Sequence, residues 1–216
     1  MAITLYYGSG SPYAWRVQLA LEAKRLPYER RVLSFSAGDT RKPEFVRLNP
    51  RHRVPTIVDD GFVLYESNAI VEYLDEVYAS QGTRLFPGDA RTRATVRRIV
   101  SEVDGYTTEA VDALIEELLY KKAEARDADK LERARAAVAE ELAFLTRYLE
   151  GDFLAGPISA ADFALYPYVK FMDRCHQRVA AFDAASLLPP ALAAWKARIE
   201  ALPYVADTFP PHWRES

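Results

Sequence analysis

The sequence predicts an α/β unit followed by an all-α helical bundle, and three observations carry that reading. Residues 2–7 alternate in polarity and the pattern switches to a helical period directly after Pro12, so a strand feeds a helix. Residues 56–64 contain two short extended runs on either side of Asp59-Asp60-Gly61, which reads as a hairpin. Beyond residue 90, apolar residues recur at intervals of three and four and no strand-like alternation returns. With 216 residues, half of them hydrophobic, the chain is long enough for two modest domains.

In chain order, Ile3, Leu5 and Tyr7 share one face of the first strand and Thr4 and Tyr6 the other. Gly8 to Pro12 is a turn. Pro12 suits the first turn of a helix, with Ser11 before it as the cap. On that helix Tyr13, Val17, Ala20 and Leu21 share a face, and Arg16, Glu22 and Lys24 are expected to point more outward. A second strand near Tyr28 to Leu33 makes a parallel pair through a right-handed crossover. Asp39 to Leu48 is a polar, basic loop with a short helix around Pro43 to Arg47. After the hairpin, a helix from Ser67 carries Ile70, Val71, Leu74, Val77 and Tyr78 on one broad apolar face.

The stretch Gln81 to Asp89 contains Gly82, Pro87 and Gly88 and reads as a linker, which divides the chain into 1–80, 81–89 and 90–216. Val96 to Leu119 mark one long helix with a bend expected near Gly105. Leu131 to Leu149 mark another, ending at Gly151. Helices from Ala160 to His176 and from Pro190 to Ala201 complete the bundle. Ser159 and Asp162 have the spacing of a capping box, worth on the order of 1 kcal/mol to the helix they open.

Composition excludes several classes of function. A net charge of −3 and a pI near 5.7 give no electrostatic case for nucleic acid. No apolar run approaches the roughly 20 residues of a membrane span. The N-terminus lacks the basic and apolar regions of a secretory signal, and the single cysteine, Cys175, excludes an internal disulfide. A cytoplasmic location is the expectation. His52, His176 and His212 have no metal-ligand spacing, so no metal is expected. Cys175 reads as a packed, inert thiol, and the cluster Arg91, Arg93, Arg97 and Arg98 as a solvated face or a subunit contact.

Arg53 to Ser67 holds the chemistry. Pro55 at the entrance of the first hairpin strand constrains Val54 to an extended conformation. With a cis Val54-Pro55 bond, Val54 would offer its N–H and C=O to an extended peptide. Glu66-Ser67 places a hydroxyl and unpaired N–H groups at a helix start, which suits a carboxylate. The two together form a clamp for a small, charged peptide. Asn49-Pro50, Val54-Pro55 and Glu66-Ser67-Asn68-Ala69-Ile70, followed by Glu72-Tyr73-Leu74, closely resemble the glutathione-site signature of the soluble glutathione S-transferases. The resemblance implies a thioredoxin-like first half, an extended glutathione paired with Val54 beside a cis Pro55, and a γ-glutamyl end held by Glu66 and Ser67. The Gly156 to Asp162 segment is similar to that family's helix-capping motif, so the resemblance spans roughly residues 2 to 205.

The context Ser11-Pro12-Tyr13 with Trp15-Arg16-Val17 resembles the serine-type members, including the tau and zeta classes, and implies that Ser11 hydrogen-bonds the thiol sulfur. Ser11 at a helix N-terminus offers both a hydroxyl donor and the positive end of a dipole. Ser9, Tyr6 and Tyr7 are rivals for that role, and a plain helix cap is the structural alternative. For the glycine carboxylate the loop offers Arg41, Lys42, His52 and Arg53, of which Arg53 and Lys42 are assigned. Tyr7, Tyr13, Tyr106, Tyr166 and Trp213 are candidate walls of an electrophile pocket between the domains, and all of them could equally be core. The implied activity is thiolate attack on a small hydrophobic electrophile by a homodimeric glutathione transferase. A zeta-type isomerase using glutathione as cofactor and a non-catalytic glutathione-binding protein are the alternatives. Pro12-Tyr13 stands where the isomerase branch has a serine-cysteine pair.

Overall fold

The structure, a computed structural model, describes residues 3–214. Among these, residues 3–86 together with 204–214 form one compact unit and residues 87–203 a second.

The first unit contains β1 (Ile3–Tyr7), α1 (Pro12–Ala23), β2 (Tyr28–Val32), α2 (Pro43–Val46), β3 (Thr56–Asp59), β4 (Phe62–Tyr65) and α3 (Ser67–Val77). The strands form one sheet in the order β2-β1-β3-β4, with β1 and β2 parallel and the other pairs antiparallel. Buried Ile3, Leu5 and Ile57 from the sheet, Val17, Leu19 and Leu21 from α1, and Ile70 and Leu74 from α3 make the core. Two tyrosines tie α3 to the sheet, because Tyr73 and Tyr78 both donate to Asp59 Oδ2, at 2.9 and 2.7 Å. Burial first, and then the Asp59 carboxylate, push the Tyr73 phenol up to about 12.

Two basic residues of α1 do not point outward as their helical phase suggests. Arg16 and Lys24 are buried. Arg16 Nη1 donates to Asn68 Oδ1 at 2.7 Å, and Lys24 Nζ donates to Asp75 Oδ1 at 3.2 Å, so both cations find a partner on α3. Asp75 also accepts from the N–H groups of Leu85 and Phe86, at 2.7 and 3.3 Å, and pairs with Arg84 at 3.1 Å. Residues 83–86, expected in the linker, are therefore held on the first unit. The C-terminal segment departs further from the expected 90–216 domain. It carries α9 (Val205–Thr208) and packs on α1, where Trp15 Nε1 donates to Thr208 Oγ1 at 2.7 Å. The Trp15 ring meets Phe209 and Trp213 edge-on, at 5.7 and 5.6 Å.

The second unit opens with α4 (Ala90–Glu102), which runs through a π-helical turn at Val103–Thr107 into α5 (Thr108–Ile115) and a second π turn at Glu116–Tyr120. Gly105, where a bend was expected, lies within the first of these π turns, a recognised cause of helix distortion. Then follow α6 (Ala128–Leu145), α7 (Ala160–Arg178) and α8 (Pro190–Glu200). The unit is not purely helical. After α6 the chain forms a two-stranded hairpin, β5 (Leu149–Glu150) with β6 (Phe153–Leu154), where a helix to Gly151 was expected. The capping box at Ser159 is present and larger than its motif. Asp162 Oδ2 accepts from Ser159 N–H at 2.8 Å, while Oδ1 accepts from Leu154 N–H at 2.9 Å and Trp195 Nε1 at 2.8 Å. One buried carboxylate thus joins β6, α7 and α8.

Candidate functional site

Strand register brings the predicted pieces of the site to one end of the sheet. Tyr7, the last residue of β1, pairs with Val32, the last of β2, and Tyr6 pairs with Thr56, the first of β3. Thr56 in turn pairs with Tyr65, the last residue of β4. The Gly8–Ser11 turn, the Leu33–Phe35 loop, Val54-Pro55 and Glu66-Ser67 therefore all leave the sheet at the same edge.

Ser11 is the N-cap of α1. Its Oγ accepts from Ala14 N–H at 3.4 Å, its own N–H donates to the Gly8 carbonyl at 3.1 Å, and Pro12 follows at the first helical position. The hydroxyl acts only as an acceptor in that cap, and no group among the described residues takes its proton. Ser11 is half-buried at the positive end of a 12-residue helix, with a hydrogen-bond donor to offer.

The Val54-Pro55 peptide is cis. Among the described residues, neither the N–H nor the C=O of Val54 pairs with another backbone group. Asn49, which is buried, pins the approach to this residue. Its Nδ2 donates to the Arg53 carbonyl at 2.7 Å and to Thr56 Oγ1 at 3.1 Å, and its Oδ1 accepts from Arg51 N–H at 2.9 Å. At the start of α3, Glu66 holds φ 72° and ψ 110°, a conformation that costs a non-glycine residue roughly 1–3 kcal/mol. No side chain caps this helix. Ser67 is buried at its first position, and the first N–H groups of α3 lack a side-chain acceptor. Through Asn68 the Arg16 guanidinium ties this helix start to α1, and it also lies over the Tyr13 ring at 5.1 Å.

The remaining predicted residues divide. Lys42 is exposed and paired with Asp39 at 2.7 Å, which raises its pKa chiefly through that hydrogen bond. Arg53 is exposed on the Asn49-pinned loop, and His52 Nδ1 lies 3.2 Å from the Thr40 carbonyl. Tyr7 and Tyr13 are half-buried near the Ser11 turn. Tyr166 is 1 % exposed within α7 and is a core residue of the second unit, not a pocket wall. Trp213 is buried against Trp15 and anchors the C-terminal segment. Tyr106, 63 % exposed, lines a cavity of about 560 Å³ between α5 and α6, with Glu109, Ala113, Lys130, Arg133 and Glu141. Burial pushes the Cys175 thiol up to about 12, far from nucleophilic use at neutral pH.

Phe35 is a residue of the site edge that sequence reasoning missed. It is 56 % exposed, yet its ring occupies the space that a side chain at Gly8 would need, with ring carbon 2.2 Å from such a Cβ. The available signal was weak: a lone aromatic in the loop Leu33-Ser34-Phe35-Ser36. Among the described residues no group of three or more His, Cys, Asp or Glu could hold a metal ion, and no helix is long and apolar enough to cross a membrane.

Comparison with known proteins finds matches in both units of the chain. Residues 10–77 match the glutathione S-transferase N-terminal domain and residues 128–198 the glutathione S-transferase C-terminal domain. The chain belongs to the glutathione S-transferase family. Glutathione S-transferase A of Pleuronectes platessa is 31 % identical over 99 % of this chain and 94 % of its own length. A probable maleylacetoacetate isomerase of Vibrio cholerae is 30 % identical over 97 % of this chain and 96 % of its own. The crystal structure of a glutathione S-transferase from the Antarctic clam Laternula elliptica superposes with a TM-score of 0.83 at 30 % identity, covering 100 % of this chain and 95 % of that one. The fold is accordingly that of the family: a thioredoxin-like mixed sheet with helices, followed by a helical domain.

Proposed function

We propose that the protein is a serine-type glutathione transferase, acting as a homodimer in a reducing cytoplasm. Glutathione lies extended along the sheet edge, its main chain paired with Val54. The γ-glutamyl end is held by Glu66, Ser67 and the uncapped start of α3, and the glycine carboxylate by Arg53 and Lys42. The Ser11 hydroxyl donates a hydrogen bond to the sulfur and keeps its proton. A thiol with a pKa of about 8.5 is mostly protonated at neutral pH, and lowering it by about two units takes roughly 2.7 kcal/mol of preferential thiolate stabilisation. One hydroxyl donor together with a helix N-terminus is of that size. The thiolate then forms a C–S bond with a small hydrophobic electrophile and a leaving group departs, or the electrophile takes up a proton if the reaction is addition. Phe35, exposed beside the Ser11 turn, offers that electrophile an aromatic wall within the first unit.

The observation that carries this reading is the hydroxyl of Ser11, an acceptor in its own helix cap with its proton uncommitted, at the same sheet edge as Val54 and Ser67. Ultraviolet titration of the protein with bound glutathione tests it. A thiolate band that titrates well below the free thiol supports the enzyme. Glutathione binding without that band leaves only a binding protein. The isomerase named among the relatives favours a second reading, in which glutathione adds to the substrate and is released unchanged. Stoichiometric loss of free thiol during turnover separates transfer from isomerisation.

A further inference from the structure

The Gly8–Ser11 turn is held by the C-terminal segment as well as by its own hydrogen bonds. Ser9 Oγ lies 3.0 Å from His212 Nδ1, across 203 residues of sequence. Gly10 has φ +84°, and a Cβ there would lie 3.2 Å from the Trp213 ring and 3.3 Å from His212. The segment therefore seats directly on the main chain of the turn. It is itself firmly placed, since Trp213 is buried against Trp15 and Phe209 and Thr208 accepts the Trp15 Nε1–H. The His212 imidazole stands on this anchored base, with its ring centroid 6.0 Å from that of Trp213.

We infer that His212 is a positioning residue for thiol activation: it fixes Ser9, and through the short Gly8–Ser11 turn it fixes the hydroxyl of Ser11. With the imidazole proton on Nε2, Nδ1 accepts the Ser9 hydroxyl proton. Ser9 is then committed to the C-terminal segment, and Ser11 is left as the hydroxyl donor of the turn. This assigns different tasks to two serines that the sequence alone leaves as rivals. The inference rests on the thiol-activating role of Ser11 proposed above.

The test measures the thiolate band of bound glutathione against pH, together with kcat and KM, in the native protein and in His212→Phe, His212→Asn, Ser9→Ala and Ser9→Ala/His212→Phe. His212 is exposed, so none of the changes at that position opens the core. His212→Phe keeps a ring against Trp213 and removes the hydrogen bond. It should raise the apparent thiol pKa by roughly half to one unit, a three- to ten-fold loss of thiolate, with KM for glutathione within about two-fold. His212→Asn, which keeps a polar atom near the Nδ1 position, should restore most of the loss. Ser9→Ala should match His212→Phe, and the double variant should add nothing further. A His212→Phe protein with native thiol pKa and kcat overturns the inference, as do independent, additive effects of the two single changes. A native protein that binds glutathione and forms no thiolate removes the Ser11 reading itself. That outcome is distinct from one in which the native thiolate forms and the variants leave it unmoved.

Discussion

At the scale of single residues, Ser11 is where a catalytic and a structural role give different numbers. A hydrogen bond to a charged group is worth about 1.5–3 kcal/mol, so Ser11→Ala should raise the pKa of bound glutathione by about one unit or more and slow turnover. Were the hydroxyl only a cap, the change would cost about 1 kcal/mol of stability and leave the thiol unmoved. Phe substitutions at Tyr6 and Tyr7 complete the comparison, and a shift confined to one of them would transfer the role. Asn49 invites a second substitution. Its three hydrogen bonds fix Arg51, Arg53 and Thr56 around Val54, so Asn49→Ala should raise KM for glutathione several-fold, roughly 1 kcal/mol, with little change in kcat. An equal fall in kcat at constant KM would show that the loop serves the reaction and not the binding. Val54-Pro55 and Glu66-Ser67 were legible in the sequence because each is a contiguous motif that marks a strand entrance or a helix start, although the cis bond at Pro55 was implied only by the family resemblance. Phe35 and His212 were not, because their places depend on a loop and a terminal segment brought to the turn by tertiary packing. Arg16 was misread for a related reason: a helical period places a cation outward and is blind to Asn68 on another helix.

At the scale of elements, two buried aspartates hold neighbouring segments together and should respond to pH with opposite sign. In Asp162, burial outweighs the hydrogen bonds it accepts and pushes the carboxyl up to about 6. Its folded pKa lies above the unfolded value of about 3.9, so its contribution is full below about pH 4 and is lost as pH rises through about 6. In Asp75, burial also acts upward, but Leu85 N–H, Lys24 and Arg84 outweigh it and hold the carboxyl below its usual range. That contribution is full above about pH 4 and is lost as pH falls through the lowered folded pKa. Urea midpoints between pH 3 and 7 should therefore show the cost of Asp162→Asn largest near pH 4 and smaller by pH 7. The cost of Asp75→Asn should shrink on acidification below pH 4. The same trend in both variants would contradict the assignment. Long elements such as α1, α3 and α7 were readable because their apolar positions repeat over many turns. The β5–β6 hairpin was not, since strands of two residues are too short to show any period. The π turn at Val103–Thr107 was visible only as a glycine inside a helical pattern.

At the scale of the whole molecule, hydrophobic periodicity and the linker separated the α/β part from the helical part, but chain order misplaced the end. Residues 204–214 return to the first unit because Trp15 offers both a donor for Thr208 and a surface for Phe209 and Trp213, a partnership no local pattern announces. The same unit leaves apolar surface uncovered in the single chain. β4 is an edge strand of the sheet, and on it Phe62 is 49 % exposed, with its ring 5.2 Å from that of Tyr73 on α3. Val77, 54 % exposed, ends the same helix. Scattered exposed apolar residues are ordinary, but an aromatic pair beside an open strand edge invites association. A second copy of this chain is the simplest partner, because soluble oligomers are most often two-fold homodimers with one patch used twice. Light scattering at micromolar concentration should then give twice the chain mass of 24.4 kDa. Charge placed on these exposed residues should oppose their burial, so Phe62→Glu with Val77→Glu should shift the mass toward one chain with an unchanged far-ultraviolet circular dichroism spectrum. A native mass of 24.4 kDa would remove the dimer, and a doubly substituted protein that stays at twice that mass would place the interface on another surface.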